Sequence, residues 1–399
     1  MDYDIAIIGG GPAGLSFALS LQASGLKIAV IEKQTREELS NPANDGRDIA
    51  LTHLSRRLMQ QHGTWQRVDP KEIAPLIRAE VIDGESPYTL AFDTPDEETG
   101  SLGFLISNFL IRKAIFEEFE TRDNVTLIDG TFVTQISTDE DAAWMDLDNG
   151  QRISATLAIG ADTRFSNCRR QMGISADSHD FGRSAILCWM DHELENQHTA
   201  LECFLYGGTL AILPLNGNRC SAVITVDSSK VDELLTMDEE SFNREVEQRV
   251  GGRLGSMKQV GERFHYPLVG VHANRFHARR FALIGDAAVG MHPVTAHGFN
   301  LGLSGQDLLA TEILNAITAG EEYWQPAVLQ RYQQQHMINT RLLYHGTNSI
   351  VKLFTNEHLP AKLLRKAMLR VSNHLPPVKW AIQQKLMTKD HLSSLIPKF

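Results

Sequence analysis

The segment Tyr3-Asp4-Ile5-Ala6-Ile7-Ile8-Gly9-Gly10-Gly11-Pro12-Ala13-Gly14 constrains the fold more than any other part of this chain. An apolar run that ends in glycines and opens into a helix-forming stretch predicts a β-α-β unit, with a strand over 3–8, a helix over 12–24 and a second strand over 27–31. Gly9, Gly11 and Gly14 have the spacing that lets backbone approach a pyrophosphate at a helix N-terminus, and Pro12 and Ala13 open that helix. Glu32 follows Gly14 by 18 residues, with Lys33 beside it, at the end of the second strand. A carboxylate there accepts hydrogen bonds from ribose hydroxyls and disfavours a 2′-phosphate. Glycines alone are a weak sign, and an ordinary tight turn would use them too. Strand, helix and acid together predict dinucleotide binding, without choosing between a nicotinamide and a flavin.

That choice comes from a second constellation. Ala282-Leu283-Ile284-Gly285-Asp286-Ala287-Ala288 is followed by Met291-His292-Pro293 and then by Gly298-Phe299-Asn300-Leu301-Gly302-Leu303. A strand ending in Gly285-Asp286 sets a carboxylate where it can hydrogen-bond the ribityl chain of a flavin, and Pro293 can shape the loop beside the ring. Gly298, Phe299 and Asn300 begin a long helix, expected over 301–319, whose amides and positive dipole end face the pyrimidine side of the isoalloxazine. FAD is therefore the expected cofactor.

Between these two motifs the periodicity changes. Thr35 to Asp48 is polar and reads as loop, Ile49 to His62 as helix, and Asn108 to Phe119 as a helix with Ile111, Ile115 and Phe119 on one stripe. Short strands over 125–128, 132–136, 143–146 and 155–159, broken by Asp-Gly and Asn-Gly turns, suggest a small antiparallel sheet. Further strands are expected at 185–190, 201–205, 209–214 and 221–226, then a helix over 237–250 and a buried strand over 281–284. The expected fold is α/β: a Rossmann-type domain (1–165 and 271–345) interleaved with a mostly β substrate domain (166–270), with 75–100 assignable to either. A basic helical C-terminal region (346–399) completes it. A chain of 399 residues is long enough for two packed domains.

Charge and cysteine usage exclude several classes. A formal charge of −11 disfavours nucleic-acid binding, and 42% hydrophobic residues argue for a folded chain. Cys168, Cys188, Cys203 and Cys220 form no C-x-x-C pair, so reduced structural thiols are expected and no metal site. The first strand starts within a few residues of Met1 and no apolar run approaches about 18 residues, which points to a cytoplasmic protein.

With these residues in hand, the chain resembles the flavoprotein aromatic hydroxylases of the para-hydroxybenzoate hydroxylase fold, and within them the ubiquinone-biosynthesis hydroxylases. Over about residues 1–345 four motifs carry the likeness: the Gly9 to Gly14 fingerprint with Glu32, the stretch Asp45-Gly46-Arg47-Asp48-Ile49-Ala50-Leu51, the stretch Gly160-Ala161-Asp162, and Gly285-Asp286. The resemblance implies that Arg47 contacts the cofactor from a mobile loop; the plainer alternative is a solvated arginine. It implies that Asp162, in Gly160-Ala161-Asp162-Thr163-Arg164-Phe165-Ser166-Asn167-Cys168-Arg169, serves flavin and nicotinamide binding. Thr163 replaces the usual glycine, where a Cβ would clash if the backbone needed positive φ. Val289 stands where the family commonly has histidine, and Thr295-Ala296-His297-Gly298 replaces Ala-Gly-Gln-Gly. His297 is then a candidate donor beside the ring, with a packed loop histidine as the alternative; His292, before a proline, has the weaker claim.

The implied reaction is monooxygenation: reduced flavin takes up oxygen as a C4a-hydroperoxide, and the distal oxygen passes to an electron-rich ring. The cofactor carries the chemistry, so no side-chain nucleophile or metal is required. NADPH or NADH is the reductant implied by the resemblance, because the glycines at 251–255 have the wrong spacing for a second fingerprint. The wall of the substrate site is expected from residues 180–225. From His345 onward nine basic residues face two acidic ones, interleaved with Leu363-Leu364, Met368-Leu369, Trp380 and Leu386-Met387. Such a stretch suits peripheral contact with the inner membrane or a quinone-biosynthesis complex, or a helical cap on the acidic body. Membrane contact would favour a polyprenylated ubiquinone precursor as substrate. A small soluble aromatic, an isoprenoid flavin reductase and a non-catalytic flavin-binding subunit are the other readings.

Overall fold

The computed structural model describes residues 1–84, 89–94, 100–205, 208–292 and 298–355. The chain starts with β1 (Tyr3–Ile8), α1 (Pro12–Ser20), β2 (Ile28–Ile31), α2 (Arg36–Ser40), β3 (Asp48–Leu51) and α3 (His53–His62). It continues through β4 (Ala74–Leu76), β5 (Arg78–Asp83), β6 (Thr89–Asp93), β7 (Gly103–Ser107), α4 (Asn108–Phe119) and β8 (Val125–Ile128). A hairpin, β9 (Val133–Thr138) and β10 (Ala143–Leu147), leads into β11 (Arg152–Gly160) and α5 (Asn167–Gln171). Then come β12 (Ala176–His192), β13 (Thr199–Leu205), β14 (Gly208–Pro214), β15 (Arg219–Asp227), α6 (Val231–Thr236) and α7 (Glu239–Val250). The last elements are β16 (Met257–Ala273), β17 (His277–Ala278), β18 (Phe281–Leu283), β19 (Val289–Gly290), α8 (Gly298–Ala319) and α9 (Pro326–Thr355).

The first sheet runs β17-β18-β11-β1-β2-β8, and β1 pairs in parallel with both β2 and β11. Both faces of β1 are covered, so Ile5, Ala6 and Ile7 have no accessible surface and the strand reads as a continuous apolar run. Each such isoleucine contributes about 1.5–3 kcal/mol by burial. The strands expected over 125–159 do not form one antiparallel sheet. β8 joins β2 in parallel and β11 pairs with β1 and β18 in parallel, while only β9 and β10 form the antiparallel extension. The physical reason is in β11: eight of its nine residues, Ile153 to Gly160, are buried, which a sheet open to water on one face would not allow.

The second sheet has the order β19-β16-β12-β15-β14-β13-β5-β6. β5 and β6, from before residue 100, join it, with β5 parallel to β13. Side chains alternate between its faces. Ile186, Cys188, Leu210, Ile212, Ala222 and Ile224 pack with Phe242 and Val246 of α7, which covers that side. The opposite side carries Leu187, Val223, Phe264 and Tyr266 in one cluster and Phe204, Val81, Leu90 and Phe92 in another. A small third sheet, β3-β7-β4, joins β3 and β4, which precede β5, to β7, which follows β6.

Three local expectations change. Within the expected loop after Thr35, α2 forms because Thr35 and Glu38 make a reciprocal capping box. Residues 49–51 are strand rather than helix, since Asp48–Leu51 finds a partner in Phe104–Ser107; the helix starts only after Thr52, whose hydroxyl accepts from Ser55 N–H. The first helix stops at Ser20 rather than Ser24, with Leu21 to Ser24 in turns bonded to Ala18, Leu19 and Leu21 carbonyls. The four cysteines are buried and free. Among the described residues no helix is long and apolar enough to cross a membrane. The stretch expected to be helical beyond Thr355 lies outside the described residues.

Candidate active site at the strand ends

β1 is the point where the parallel sheet changes direction, with β2 on one side and β11 on the other, and crevices for ligands open at the carboxyl ends of strands at such points. Gly9 has φ +116°, and a Cβ there would overlap the Ala161 carbonyl; a Cβ on Gly14 would overlap the Gly9 carbonyl oxygen. Both glycines are needed for the turn itself. Gly11, the N-cap of α1, is different: a Cβ there would meet nothing within 4 Å. Its open side, together with the N–H groups of the first turn of α1, is shaped for an anionic group. Pro12 and Ala13 are the first two residues of α1.

Glu32 is buried, and its carboxylate accepts from Gly10 N–H at 2.6 Å and from Gln34 N–H at 2.9 Å. An ionised carboxylate has about four acceptor sites, so these two bonds orient it and leave capacity for ribose hydroxyls. Lys33, next along, is exposed. A recess lined by Gly10, Pro12, Leu15, Leu39, Arg112 and Phe116 opens on the same side of the loop.

The second half of the crevice is held by arginines. Gly285 begins a single 3-10 turn after β18, and a Cβ on it would stand 2.7 Å from that of Ala13, so the two halves touch. Asp286 pairs with Arg164 Nη2 at 2.9 Å, while Arg164 Nη1 donates to the Val269 carbonyl. Arg169, buried, donates to the carbonyls of Ala287 and Arg164. Asp162 accepts from Asn167 N–H through Oδ2; its Oδ1 is shielded and without a partner among the described residues. An acceptor in that state, beside Gly9, fits a hydroxyl or amide of a bound ligand. Thr163 is not among the residues with positive φ, so its Cβ brings no strain.

Arg47 is half exposed, bonded through Nε to Asp45 at 3.0 Å and set over the Tyr266 ring at 5.5 Å. Asp286 is close enough to act on its charge. The same loop meets the second sheet: Gly46 lies against Phe264, and the Tyr266 hydroxyl donates to the Asp45 carbonyl. Asp48 is buried and accepts from the Ser107 hydroxyl at 2.6 Å and from the Trp189 indole at 2.9 Å, and burial raises its carboxyl above the usual range.

Gly298 and Phe299 occupy the first turn of α8; among the described residues an added Cβ on Gly298 would meet only Met291, at 3.9 Å, and Phe299 packs against the core. Asn300 is there too, but its side chain turns away: it accepts from Thr52 N–H and the Ser55 hydroxyl and donates to the Ala50 carbonyl, joining α8 to the β3–α3 junction. Val289, in place of the family histidine, is buried in β19 opposite His272, where an apolar side chain suits the core. Pro293 and His297 lie outside the described residues. Sequence reasoning did not single out Asp48, Arg164 or Arg169 individually, although all three sit inside quoted stretches; their partners are remote in sequence.

His292 is buried edge-on to Phe181, and burial together with Arg164 and Arg183 pushes its pKa down to about 4. Burial does the same to His272, whose ring bonds Thr340. Both therefore bind fewer protons folded than unfolded between about pH 6.5 and 4. Stability is complete above the upper limit and falls as pH drops through that window. In urea titrations His272→Asn should reduce this slope by up to about 1.4 kcal/mol per pH unit; an unchanged slope would show that His272 is not buried neutral.

The family model described as FAD binding domain matches residues 2–337. The ubiquinone hydroxylase UbiM of Neisseria meningitidis is 49% identical over 387 residues, covering 96% of this chain and 84% of that protein. The ubiquinone hydroxylase UbiL of Rhodospirillum rubrum is 35% identical, over 94% of this chain and 87% of its own. Among solved structures, p-nitrophenol 4-monooxygenase PnpA from Pseudomonas putida superposes with a TM-score of 0.76 at 17% identity, covering 96% and 98% of the two chains.

Proposed function

The chain belongs to the FAD-dependent ubiquinone hydroxylases of the FAD binding domain family, and from that premise we propose that it inserts one oxygen atom into the aromatic ring of a polyprenylated ubiquinone precursor, with NAD(P)H as reductant. FAD, when bound, supplies the oxygen chemistry. The protein's part is binding, orientation and exclusion of water. The Gly9–Gly14 loop and Glu32 take the adenosine and pyrophosphate end, Asp162 and Asp286 take hydroxyls and amides toward the ring, and the first turn of α8 supplies N–H groups for the pyrimidine edge.

The single observation that carries this reading is the meeting of the Arg47 loop with the face of the second sheet opposite α7. Through Gly46–Phe264, Asp45–Tyr266 and Asp48–Trp189, an apolar wall containing Leu187, Val223 and Leu213 closes against the flavin half. An apolar wall beside a flavin suits a prenylated phenol. Sheet membership supports dividing the chain into a flavin part (1–165 and 271–345) and a substrate part (166–270), except that β5, β6, the end of β16 and β19 go with the second sheet. The composition of 346–399 supports contact with an anionic membrane surface from the cytoplasmic side, where a lipid substrate resides.

The test is isotopic. FAD-loaded enzyme supplied with NADPH, ¹⁸O₂ and a prenylated phenol should yield product carrying one ¹⁸O. Reduction of the flavin with no label in any phenol would sink the hydroxylase reading, and label entering only unprenylated phenols would favour a soluble aromatic substrate.

A further inference from the structure

The face of the second sheet opposite α7 is mostly apolar; Thr209, Ser221 and Thr225 are neutral polar residues on it, Asp191 is paired with Arg219 near its end, and Glu202 is the acid set between its two apolar clusters. On β13, Leu201 and Cys203 turn toward α7, so Glu202 shares the opposite face with Phe204. Pairing fixes its neighbours there: Val81 across the parallel ladder and Ala211 across the antiparallel one. The row continues through Val223 to Leu187 and Phe264. Glu202 therefore sits between the Phe204–Leu90–Phe92 cluster and the Leu187–Val223–Phe264 cluster. It is two strands from Ser221, whose opposite number on β12 is Trp189, the residue held by Asp48. At strand spacings of about 4.8 Å that separation is on the order of 10 Å, within the span of a substituted aromatic ring and its first substituents.

The carboxyl group has no evident structural duty. Its Oε1 is shielded from solvent and has no hydrogen-bond partner among the described residues, although the side chain as a whole keeps some accessible surface. Burial pushes it up to about 8, so it is largely uncharged near neutrality. A buried acceptor without a partner costs free energy, and an apolar residue of similar volume would be better for stability. What would repay that cost is a ligand hydroxyl. A carboxyl group is suited to one, since one oxygen accepts a phenolic O–H while the other offers its own proton to an adjacent ether or hydroxyl oxygen.

We propose that Glu202 is the residue that binds the ring hydroxyl of the aromatic substrate, fixing the orientation of the ring against the flavin; this rests on the hydroxylase reading above. The rest of the wall excludes water and accepts the apolar parts of the molecule. A site built to hydrogen-bond a hydroxyl rejects analogues that lack it far more strongly than an apolar pocket does.

The experiment uses FAD-loaded full-length enzyme and two probes, 2-(3-methylbut-2-enyl)phenol and its methyl ether. Wild type should bind the phenol at least ~10-fold more tightly than the ether. Glu202→Leu should raise the KM and Kd for the phenol by ~10-fold or more, raise those for the ether far less, leave the flavin spectrum unchanged, and melt at the same or a higher temperature. Glu202→Gln, which keeps a donor and an acceptor, should recover part of the preference. A Leu variant that keeps the wild-type preference for the phenol, or a wild type with no preference, overturns the assignment even if ¹⁸O enters the product. Absence of ¹⁸O from the phenol in the wild type removes the parent reading and this one together.

Discussion

Gly11→Val should abolish FAD binding while leaving the apoprotein folded, and Gly14→Val should unfold it. The two positions are three residues apart, one capping α1 and the other in its first turn, but face different surroundings. A side chain on Gly14 runs into the Gly9 carbonyl oxygen, a backbone atom fixed by the bond from Gly9 N–H to the Ile31 carbonyl. Nothing there yields cheaply, so a loss of more than about 3 kcal/mol is expected from overpacking and broken loop geometry. Gly11 has φ −72° in an extended conformation that any residue adopts, and a Cβ on it touches no protein atom within 4 Å. Valine there fills only the space where a pyrophosphate must approach the helix N-terminus. Urea denaturation of the apoproteins should separate the two: Gly11→Val, which costs only a helix-cap preference, within about 1 kcal/mol of wild type, with FAD affinity reduced at least ~100-fold. FAD retained by purified Gly11→Val protein would mean that the phosphates lie elsewhere.

The second large effect is expected at Asp286. Its carboxylate is 42% exposed and paired with a 30% exposed Arg164. Such a pair contributes little to stability, about 0–1 kcal/mol. Asp286→Ala should therefore leave the apoprotein's denaturation midpoint nearly unchanged. If the carboxylate takes ribityl hydroxyls, however, the loss of charge-assisted hydrogen bonds of about 1.5–3 kcal/mol should weaken FAD binding by ~10–100-fold. Asp286→Asn, which retains one acceptor oxygen, should fall between. Equal FAD affinity in all three proteins, measured by flavin fluorescence on titration, would remove Asp286 from the cofactor site.

The legible parts of the site were those whose physics is local. A strand, a glycine turn and a helix are neighbours in sequence, so the loop at Gly9–Gly14 and its acid at Glu32 could be read directly. The strand–turn at Gly285 and the long helix from Gly298 could be read for the same reason. Asn300 shows the limit: its place in the first turn of α8 was readable, but its side chain bonds Thr52 and Ser55, whose proximity depends on how α3 packs on α8. Asp48 likewise gains its meaning only when Trp189 arrives from another sheet. Residues 49–51 had helical periodicity, and an available partner strand at Phe104–Ser107 overrode it. Arg164 lay inside a recognised motif, yet nothing near it in sequence indicated that it would face Asp286.

The buried Arg169, bonded to the carbonyls of Arg164 and Ala287, has a consequence in time as well as space. Its second acceptor is made 118 residues later, and the strand on the other side of β11 from β1 comes only with Phe281–Leu283. Pairings of such separation close slowly, because the entropy of the intervening loop is lost before the contact forms. During synthesis the apolar β1 and β11 must therefore wait for nearly three quarters of the chain before their sheet is complete. FAD loading is consequently a late event, and the nascent chain is most exposed to aggregation in that interval.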